Sequence, residues 1–532
     1  MNGATGNEQS DLQPEEYNLQ PEEYDLTGTL PSGTLLLEAS AGTGKTYTMA
    51  GLAVRYIAEG ACSLPELLLI TFTRAATREL RERVRERLAS TVRDLTDERP
   101  SDDPIVEVLR RGSRPMRAER QQRLRDALAT FERASIATTH SFCQETLAAL
   151  GLTADTDPLE SFITDTTDLD DGVVTDMYLA TYPDDEPPAG MNFAKAKSIA
   201  RAALGDPLAS LDAGPVVAGQ VCADRQMFAE RVRAESLRRR RMAGSVTYDD
   251  LITRVDAAVH HPVTGDTACR LLRERYSVVM VDEFQDTDPL QWRILQRAFH
   301  GHSTLVLIGD PKQAIYAFRG GDVATYLTAQ RCADRQATLM VNHRTDSELV
   351  AEVSDLFRDI DLGDPRIRVR PVTSRHHRRR VNGGVHPAPL RVRTLPDVDG
   401  SARMETLRAL VSDDLTQDIA TMIASGTTIV TADGERPVEP RDIAVIVDRN
   451  ADADRVHDAL RTAGINAVVT GTQNVFSTPA AKHWLTVLHA LANPQRPELV
   501  RTAMITPLLG YQLADLVLNA DVADRAAADL RT

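Results

Sequence analysis

The sequence contains no C-x-x-C pair. Its five cysteines, Cys62, Cys143, Cys222, Cys269 and Cys332, are scattered along the chain. That spacing excludes zinc-ribbon and iron–sulfur motifs and offers no disulfide framework, so it reads as reduced thiols in a cytoplasm. No apolar run approaches the roughly 20 residues that span a bilayer, and no membrane partner is expected. The N-terminus is acidic and polar, unlike a secretory leader. Basic residues are missing from two places. Residues 1–30 hold seven acids and residues 152–190 hold eleven, in both cases without a Lys or Arg. The net charge of −16 is therefore segregated, and the rest of the chain is close to neutral. A basic groove for nucleic acid is compatible with that distribution. The runs "RVRAESLRRRRMAG" and "RIRVRPVTSRHHRRR" could track phosphates, although charge runs are usually solvated surface.

What is present begins with a tandem heptad, "LQPEEYN" then "LQPEEYD". It is short, acidic and Pro-bearing, which predicts a disordered tail over residues 1–26. A chain of 532 residues exceeds one hydrophobic core, so about two to four domains are expected. "TLLLE" reads as a buried strand and "KTYTMAGLAVRYIAEG" as a helix ending at Gly60. "ELLLITFT" and "SIATTH" (135–140) read as further strands, with a charged-faced helix, "RAATRELRERVRERLAST", between them. The acidic stretch 152–190 reads as an inserted subdomain. "SVVMVDEF" (277–284) and "TLVLIGD" (304–310) are two more apolar strands. The alternation of such strands with helices predicts an α/β fold, a parallel sheet covered on both faces. A second unit is expected from "ATLMVN" (337–342), "DIAVIVDRN" (442–450) and "INAVVTG", with 362–403 as loop.

Positions 39–46 read Ala39-Ser40-Ala41-Gly42-Thr43-Gly44-Lys45-Thr46, a phosphate loop in which Ala39 replaces the first glycine of the consensus. Small residues let backbone N–H groups wrap a phosphate chain at a helix N-terminus, where the partial positive charge favours anions. Lys45 is placed to reach the β- and γ-phosphates of ATP, and the Thr46 hydroxyl to hold Mg²⁺. The alternative is a Gly-rich turn that merely joins strand to helix. "VVMVDEFQDTDPLQ" supplies what a phosphate loop needs for hydrolysis: Asp282 as the Mg²⁺ partner and Glu283 as the base that orients water, both at a strand's C-terminal end. Gln313, in "GDPKQAIYAFRGGD", is placed to report on the γ-phosphate. Arg344, in "LMVNHRT", is placed as an arginine finger.

Taken in order, "EASAGTGKT", "ITFTRAATREL", "TTHSFC", "VTYDDLI", "VDEFQDTDPLQ", "IGDPKQAIYAFRGGD" and "LMVNHRT" resemble superfamily-one helicases of the UvrD/Rep/RecB group. "VFSTPAAKHWLTVLHALANP…ITPLLG" is similar to the N-terminal half of the RecB branch, the exodeoxyribonuclease V β subunits, most of all the actinobacterial kind. The resemblance covers about 27–515. It implies P-loop NTPase, RecA-like parallel sheets with a helical insertion, the second RecA-like domain incomplete. The implied division is 1–26 tail, 27–147 and 246–328 domain 1A, 148–245 insertion 1B, and 329–532 a truncated domain 2A with the start of a 2B insertion. The implied activity is 3′→5′ translocation on DNA, driven by ATP with Mg²⁺, in double-strand-break repair and recombination. Implied partners are single-stranded and duplex-end DNA and RecC- and RecD-like subunits. Carried over by position, Phe72 and Phe318 match base-stacking aromatics, Thr71, Thr73 and His140 match DNA-contacting positions, and Arg319 lies beside the stacking residue. His343 takes the place of an adenine-stacking aromatic. The family's base-reading glutamine would fall near Ser32 and is absent, and the later motifs of the second domain have no counterpart before Thr532. The expectation is therefore a chain that binds Mg-ATP but unwinds poorly unless something completes its second domain. The alternative is a non-catalytic DNA-binding or assembly subunit with a helicase fold.

Overall fold

Strands in this chain are short apolar runs, and the two-residue alternation of their side chains decides which face of the sheet each one serves. The computed structural model describes residues 21–97, 99–151, 161–163, 165–183, 190–205, 209, 211–212, 220–315, 323–384, 388–395, 403–470, 475–518 and 528. In chain order the strands are β1 (Glu22–Glu23), β2 (Thr34–Glu38), β3 (Leu67–Thr71), β4 (Ser135–Thr138), β5 (Ser161–Phe162), β6 (Ser245–Val246), β7 (Val278–Val281), β8 (Thr304–Gly309), β9 (Arg335–Thr338), β10 (Val341–Asp346), β11 (Thr373–His376), β12 (Val381–Asn382), β13 (Thr428–Thr431) and β14 (Gly434–Pro437).

Seven of them form one sheet in the order β1-β9-β2-β8-β7-β3-β4, every pairing parallel. In β2, Leu35 and Leu37 pack with Met49, Leu52, Leu80 and Val84 on one face. Leu36 points the other way, into a cluster with Phe142, Trp292 and Phe299. A strand buried on both faces must be apolar at every position, which is why "TLLLE" and "VVMV" lack polar alternation. Helix α1 (Lys45–Glu59) stops where Gly60 takes a left-handed conformation, φ 79°, as predicted. Helix α2 (Arg74–Thr96) buries Leu80, Val84 and Leu88 at four-residue spacing and turns most of its charged residues outward, Arg87 being held against Asp103. The helices Thr167–Thr181, Phe193–Gly205 and Gln220–Met242 build a separate small core around Val173, Val174, Ala196, Phe228 and Val232. The seven-stranded parallel sheet with covering helices is the RecA-like α/β fold expected from the sequence.

The chain divides into two compact units, 1–379 and 380–532. In the second, the helices Met404–Ala424 and Asn450–Thr462 share a core of Ile419, Val456 and Leu460, beside the antiparallel sheet β12-β13-β14.

Several expectations are corrected. The acidic tail is expected to run to residue 26, but β1 is the edge of the main sheet. Tyr24 is buried, Glu22 pairs with Arg335 at 3.0 Å, and Arg55 donates to the carbonyls of Leu26 and Gly28. Residues 1–20 lie outside the described residues. The run 337–342 is two strands: β9 lies in the main sheet between β1 and β2, and β10 pairs with β11. Both β9 and β10 lie within the first compact unit, 1–379. Residues 362–403, expected as loop, contain β11 and β12. His140 begins a helix, Thr139–Leu150, rather than ending a strand. The runs 442–450 and 465–471 form no strand among the described residues, and Ile446 and Val468 are exposed. A strand needs a neighbouring edge to satisfy its backbone, and without one those groups turn to water.

Candidate nucleotide site and nucleic-acid face

The C-terminal ends of β2, β7 and β8, adjacent in the sheet, place three loops side by side. Ala39 leaves β2 fully buried, and its N–H donates to the Gly309 carbonyl at 2.9 Å. Ala39 does not take a positive φ, whereas Gly42 and Gly44 do, at 81° and 89°. That explains why alanine is accepted at the first consensus glycine but not at the second, Gly44, and why Gly42 is a glycine although the consensus leaves its position open. The Thr43 hydroxyl closes the loop on the Ser40 carbonyl at 2.7 Å. Gly44 is the N-cap of α1, so Lys45 and Thr46 open the first helical turn, where unpaired N–H groups attract anions.

Lys45 Nζ donates to Glu283 Oε2 at 2.5 Å. Glu283 sits directly after Asp282, whose N–H is held by the Ile70 carbonyl at 2.8 Å. Glu283 adopts φ 51°, a left-handed conformation costly for a residue with a Cβ. That backbone turn aims its carboxylate across at the phosphate loop. From Glu283 a chain of side chains runs onward. Gln285 Nε2 donates to Glu283 Oε2 at 2.8 Å, and Gln285 Oε1 accepts from the Asp310 N–H at 2.9 Å. Gln313 Nε2 then donates to Asp310 Oδ2 at 2.7 Å. Sequence reasoning misses Gln285, although it stands within the "DEFQD" stretch.

Residues 342–344 lie against the same loop. His343 N–H donates to the Gly42 carbonyl at 2.8 Å, and Asn342 Nδ2 to the Ala41 carbonyl at 3.1 Å. A Cβ on Gly42 would meet Asn342 Oδ1 at 2.8 Å and Arg344 Cβ at 2.9 Å. Arg344 is exposed, and its N–H is fixed by Asn342 Oδ1 at 2.8 Å. His343 is exposed too, beside Gly44. Thus Glu283, His343 and Arg344, the last 299 residues from Lys45, come against the loop that leads into Lys45 and Thr46; Asp282 adjoins Glu283, and Gln313 is joined to it through Asp310 and Gln285. Tyr47, not singled out from the sequence, is half exposed with the Arg87 guanidinium over its ring at 4.9 Å.

The acids carry a cost. Burial, with Glu283 adding repulsion against Lys45's attraction, pushes Asp282 up to about 6. Burial and Glu283 push Asp286 to about 6 as well. Asp286 Oδ1 is buried without a hydrogen-bond partner among the described residues, so the cluster has acceptor capacity for a cation or water. Because both folded values lie above those of an unfolded chain, the folded state binds protons more readily there. The contribution to stability is complete below about pH 4 and is lost as pH rises through 6. For Asp286 this is at most about 2–3 kcal/mol. Thermal melts at pH 5 and pH 7.5 are expected to show the unliganded chain losing a few degrees that Asp286→Asn retains. Equal pH slopes for the two proteins would contradict a buried, strained carboxylate at this position.

The second candidate face lies at the ends of β3 and β4, neighbours with Thr71 opposite Thr138. Thr71 is buried, and its hydroxyl meets that of Thr77 at 2.6 Å. Thr73 is exposed and caps α2 through the Ala76 N–H at 3.0 Å. Both threonine hydroxyls are thus engaged within the fold. Phe72, between them, is half-buried. His140 stands edge-on to Tyr248 at 4.8 Å, with Phe162 on Tyr248 at 4.3 Å and Arg74 donating to the Tyr248 hydroxyl at 2.6 Å. Burial lowers the His140 pKa, against the pull of Asp249, so its ring is neutral at physiological pH. Tyr248, within "VTYDDLI", does not stand out individually in the sequence. Phe318 and Arg319 lie outside the described residues.

Comparison with known proteins agrees with this geometry. Residues 20–334 match the family model for the UvrD/REP helicase N-terminal domain. The chain is similar to the RecBCD enzyme subunit RecB of Mycobacterium tuberculosis (strain H37Rv), 44% identical over 516 residues, 95% of this chain and 46% of that protein. It is similar to the RecB subunit of Mycolicibacterium smegmatis, 42% identical over 506 residues, 94% and 46% of the two chains. With Escherichia coli K12 RecB the identity is 33% over 301 residues, 54% of this chain and 25% of that one. The chain spans about half the length of the mycobacterial relatives it matches. No helix among the described residues is long and apolar enough to cross a membrane. A phosphate loop facing paired acids on a seven-stranded parallel sheet, matched over residues 20–334, establishes that this chain belongs to the UvrD/REP helicase family.

Proposed function

We propose that the chain is a RecB-like motor subunit: an ATP hydrolase that moves 3′→5′ along single-stranded DNA in the repair of double-strand breaks. It enters at duplex ends in the cytoplasm with RecC- and RecD-like partners. The observation that carries this reading is the Lys45–Glu283 contact, which brings the phosphate loop and the acid pair onto one point. The residues present fit Mg-ATP. Loop amides 40–46 and Lys45 hold the phosphates, Thr46 and Asp282 hold the cation, and His343 lies where a base would stack. Bound Mg-ATP supplies the phosphoanhydride whose cleavage drives the cycle. Glu283 accepts the proton of the attacking water, Gln313 senses the terminal phosphate through its tie to Asp310, and Arg344 neutralises transferring charge. Phe72, with His140 beside Tyr248, forms the described part of the DNA face. Stacking of this kind is worth about 1–3 kcal/mol per base and tolerates any sequence.

The test is ATP turnover by 1–532 with and without oligo(dT). Turnover that rises with DNA, and rises less in Phe72→Ala, supports a motor. An equal low rate in both conditions, with oligo(dT) still bound, would instead favour a DNA-binding assembly subunit that has lost turnover.

A further inference from the structure

Glu38, the last residue of β2, is buried and stands immediately before the phosphate loop. Its two carboxylate oxygens hold two different parts of the site. Oε1 accepts from Lys312 Nζ at 2.9 Å, and Oε2 accepts from Arg370 Nε at 3.0 Å. Lys312 lies beside Gln313 in the turn Pro311–Gln313 and also reaches Asp310 Oδ1 at 2.7 Å. Arg370 precedes β11, whose partner β10 carries Asn342, His343 and Arg344. The cluster is neutral, with two acids against two bases, and largely shielded from water: the side chains of Asp310, Glu38 and Lys312 are 2%, 9% and 11% exposed. Burial pulls the Lys312 pKa down, but Glu38 and Asp310 together outweigh it and raise the value, keeping the amine charged.

We propose that Glu38 is a positioning residue that ties the Gln313 turn and the Arg344 strand to one point at the root of the phosphate loop. The proposal rests on the reading of Gln313 and Arg344 given above. Phosphate binding needs neither tie, because Lys45 and the loop amides supply it. Hydrolysis needs both, because groups aimed at developing charge lose their effect when displaced by about 1 Å. Glu38 therefore acts on turnover and leaves phosphate binding alone; only His343, on the tethered strand, carries part of the effect to the base. Nothing in the phosphate-loop consensus asks for an acid at this position.

Hydrogen exchange on the unliganded chain reads the tie directly. In Glu38→Gln, amides of both the 311–313 turn and strand 341–346 exchange faster. In Lys312→Gln the acceleration is confined to the turn, and in Arg370→Gln to the strand. Kinetically, Glu38→Gln lowers DNA-stimulated kcat about ten-fold or more, the scale expected for a misplaced catalytic group, while KM for ATP, which feels the loosened strand only through His343, changes less than kcat does. The single-tether variants keep the test open where Glu38→Gln folds poorly. Unchanged exchange in both segments overturns the proposal, as does a rise in KM at constant kcat. Wild-type chain and Lys45→Ala are run alongside. Turnover in wild type that does not depend on Lys45 rejects the motor reading and this inference with it. Lys45-dependent turnover that Glu38→Gln leaves intact rejects this inference alone.

Discussion

Lys45→Ala is expected to lower ATP turnover by about 10²–10³-fold, the cost of removing one preorganised charge-stabilising donor. Two effects combine. The substitution removes the ammonium that would hold the β- and γ-phosphates, and it removes the lysine that compensates the acid cluster. Asp282 and Asp286 are already pushed to about 6 by burial and by Glu283, with Lys45 pulling in the opposite direction. Without Lys45 that pull disappears, Glu283 loses its 2.5 Å partner, and both aspartates become harder to ionise. Mg²⁺ affinity should then fall together with nucleotide affinity, and shift with pH more steeply than in wild type. Titration with a fluorescent ATP analogue at pH 6.5 and 8, beside steady-state turnover, measures all three. Undiminished nucleotide binding in Lys45→Ala would remove the phosphate loop from the site.

Glu283→Gln should behave differently, with turnover down by about 10²–10⁴-fold, the range for loss of a general base, and nucleotide binding retained or tightened. The reason is competition. In the unliganded chain Lys45 is engaged by Glu283, so an incoming phosphate must displace a carboxylate from the same ammonium. Glutamine keeps the size of the side chain and its contact with Gln285 while giving up the negative charge. A neutral amide holds the Lys45 ammonium less strongly than a carboxylate does, and the lysine is more available to phosphate. The left-handed backbone at this position, φ 51°, is as strained for glutamine as for glutamate, so the fold is affected little. Single-turnover kinetics separates the two steps. Loss of binding in parallel with turnover would show that Glu283 supports the loop rather than the chemistry.

Much of this arrangement was legible along the chain because it depends on short-range rules. An apolar strand must be followed by a turn, and a phosphate loop must contain glycine where φ is positive. Gly42, Gly44, Lys45 and Thr46 satisfy that rule within one short loop, and Asp282 and Glu283 follow an apolar run that admits only a buried strand. The edge strand at Glu22 was not legible, since a Pro-bearing acidic repeat gives no local reason for order. Its order comes from β9, more than 300 residues away, and from Arg55. The runs 442–450 and 465–471 failed in the opposite direction. Their composition suits a strand, but pairing is a property of the neighbour as much as of the segment.

By itself, then, the sequence determined the chemistry available: which residues can hold a phosphate, a cation and a proton, and the parallel α/β frame that carries them. Tertiary structure decided which of them meet. The Lys45–Glu283 contact, the Gln285 bridge to Asp310 and the double grip of Glu38 on Lys312 and Arg370 join residues up to 332 positions apart, a distance across which no local periodicity carries information. Those meetings are set by the order of strands in the sheet, where β2, β8 and β7 lie side by side although β3 to β6 intervene in the chain.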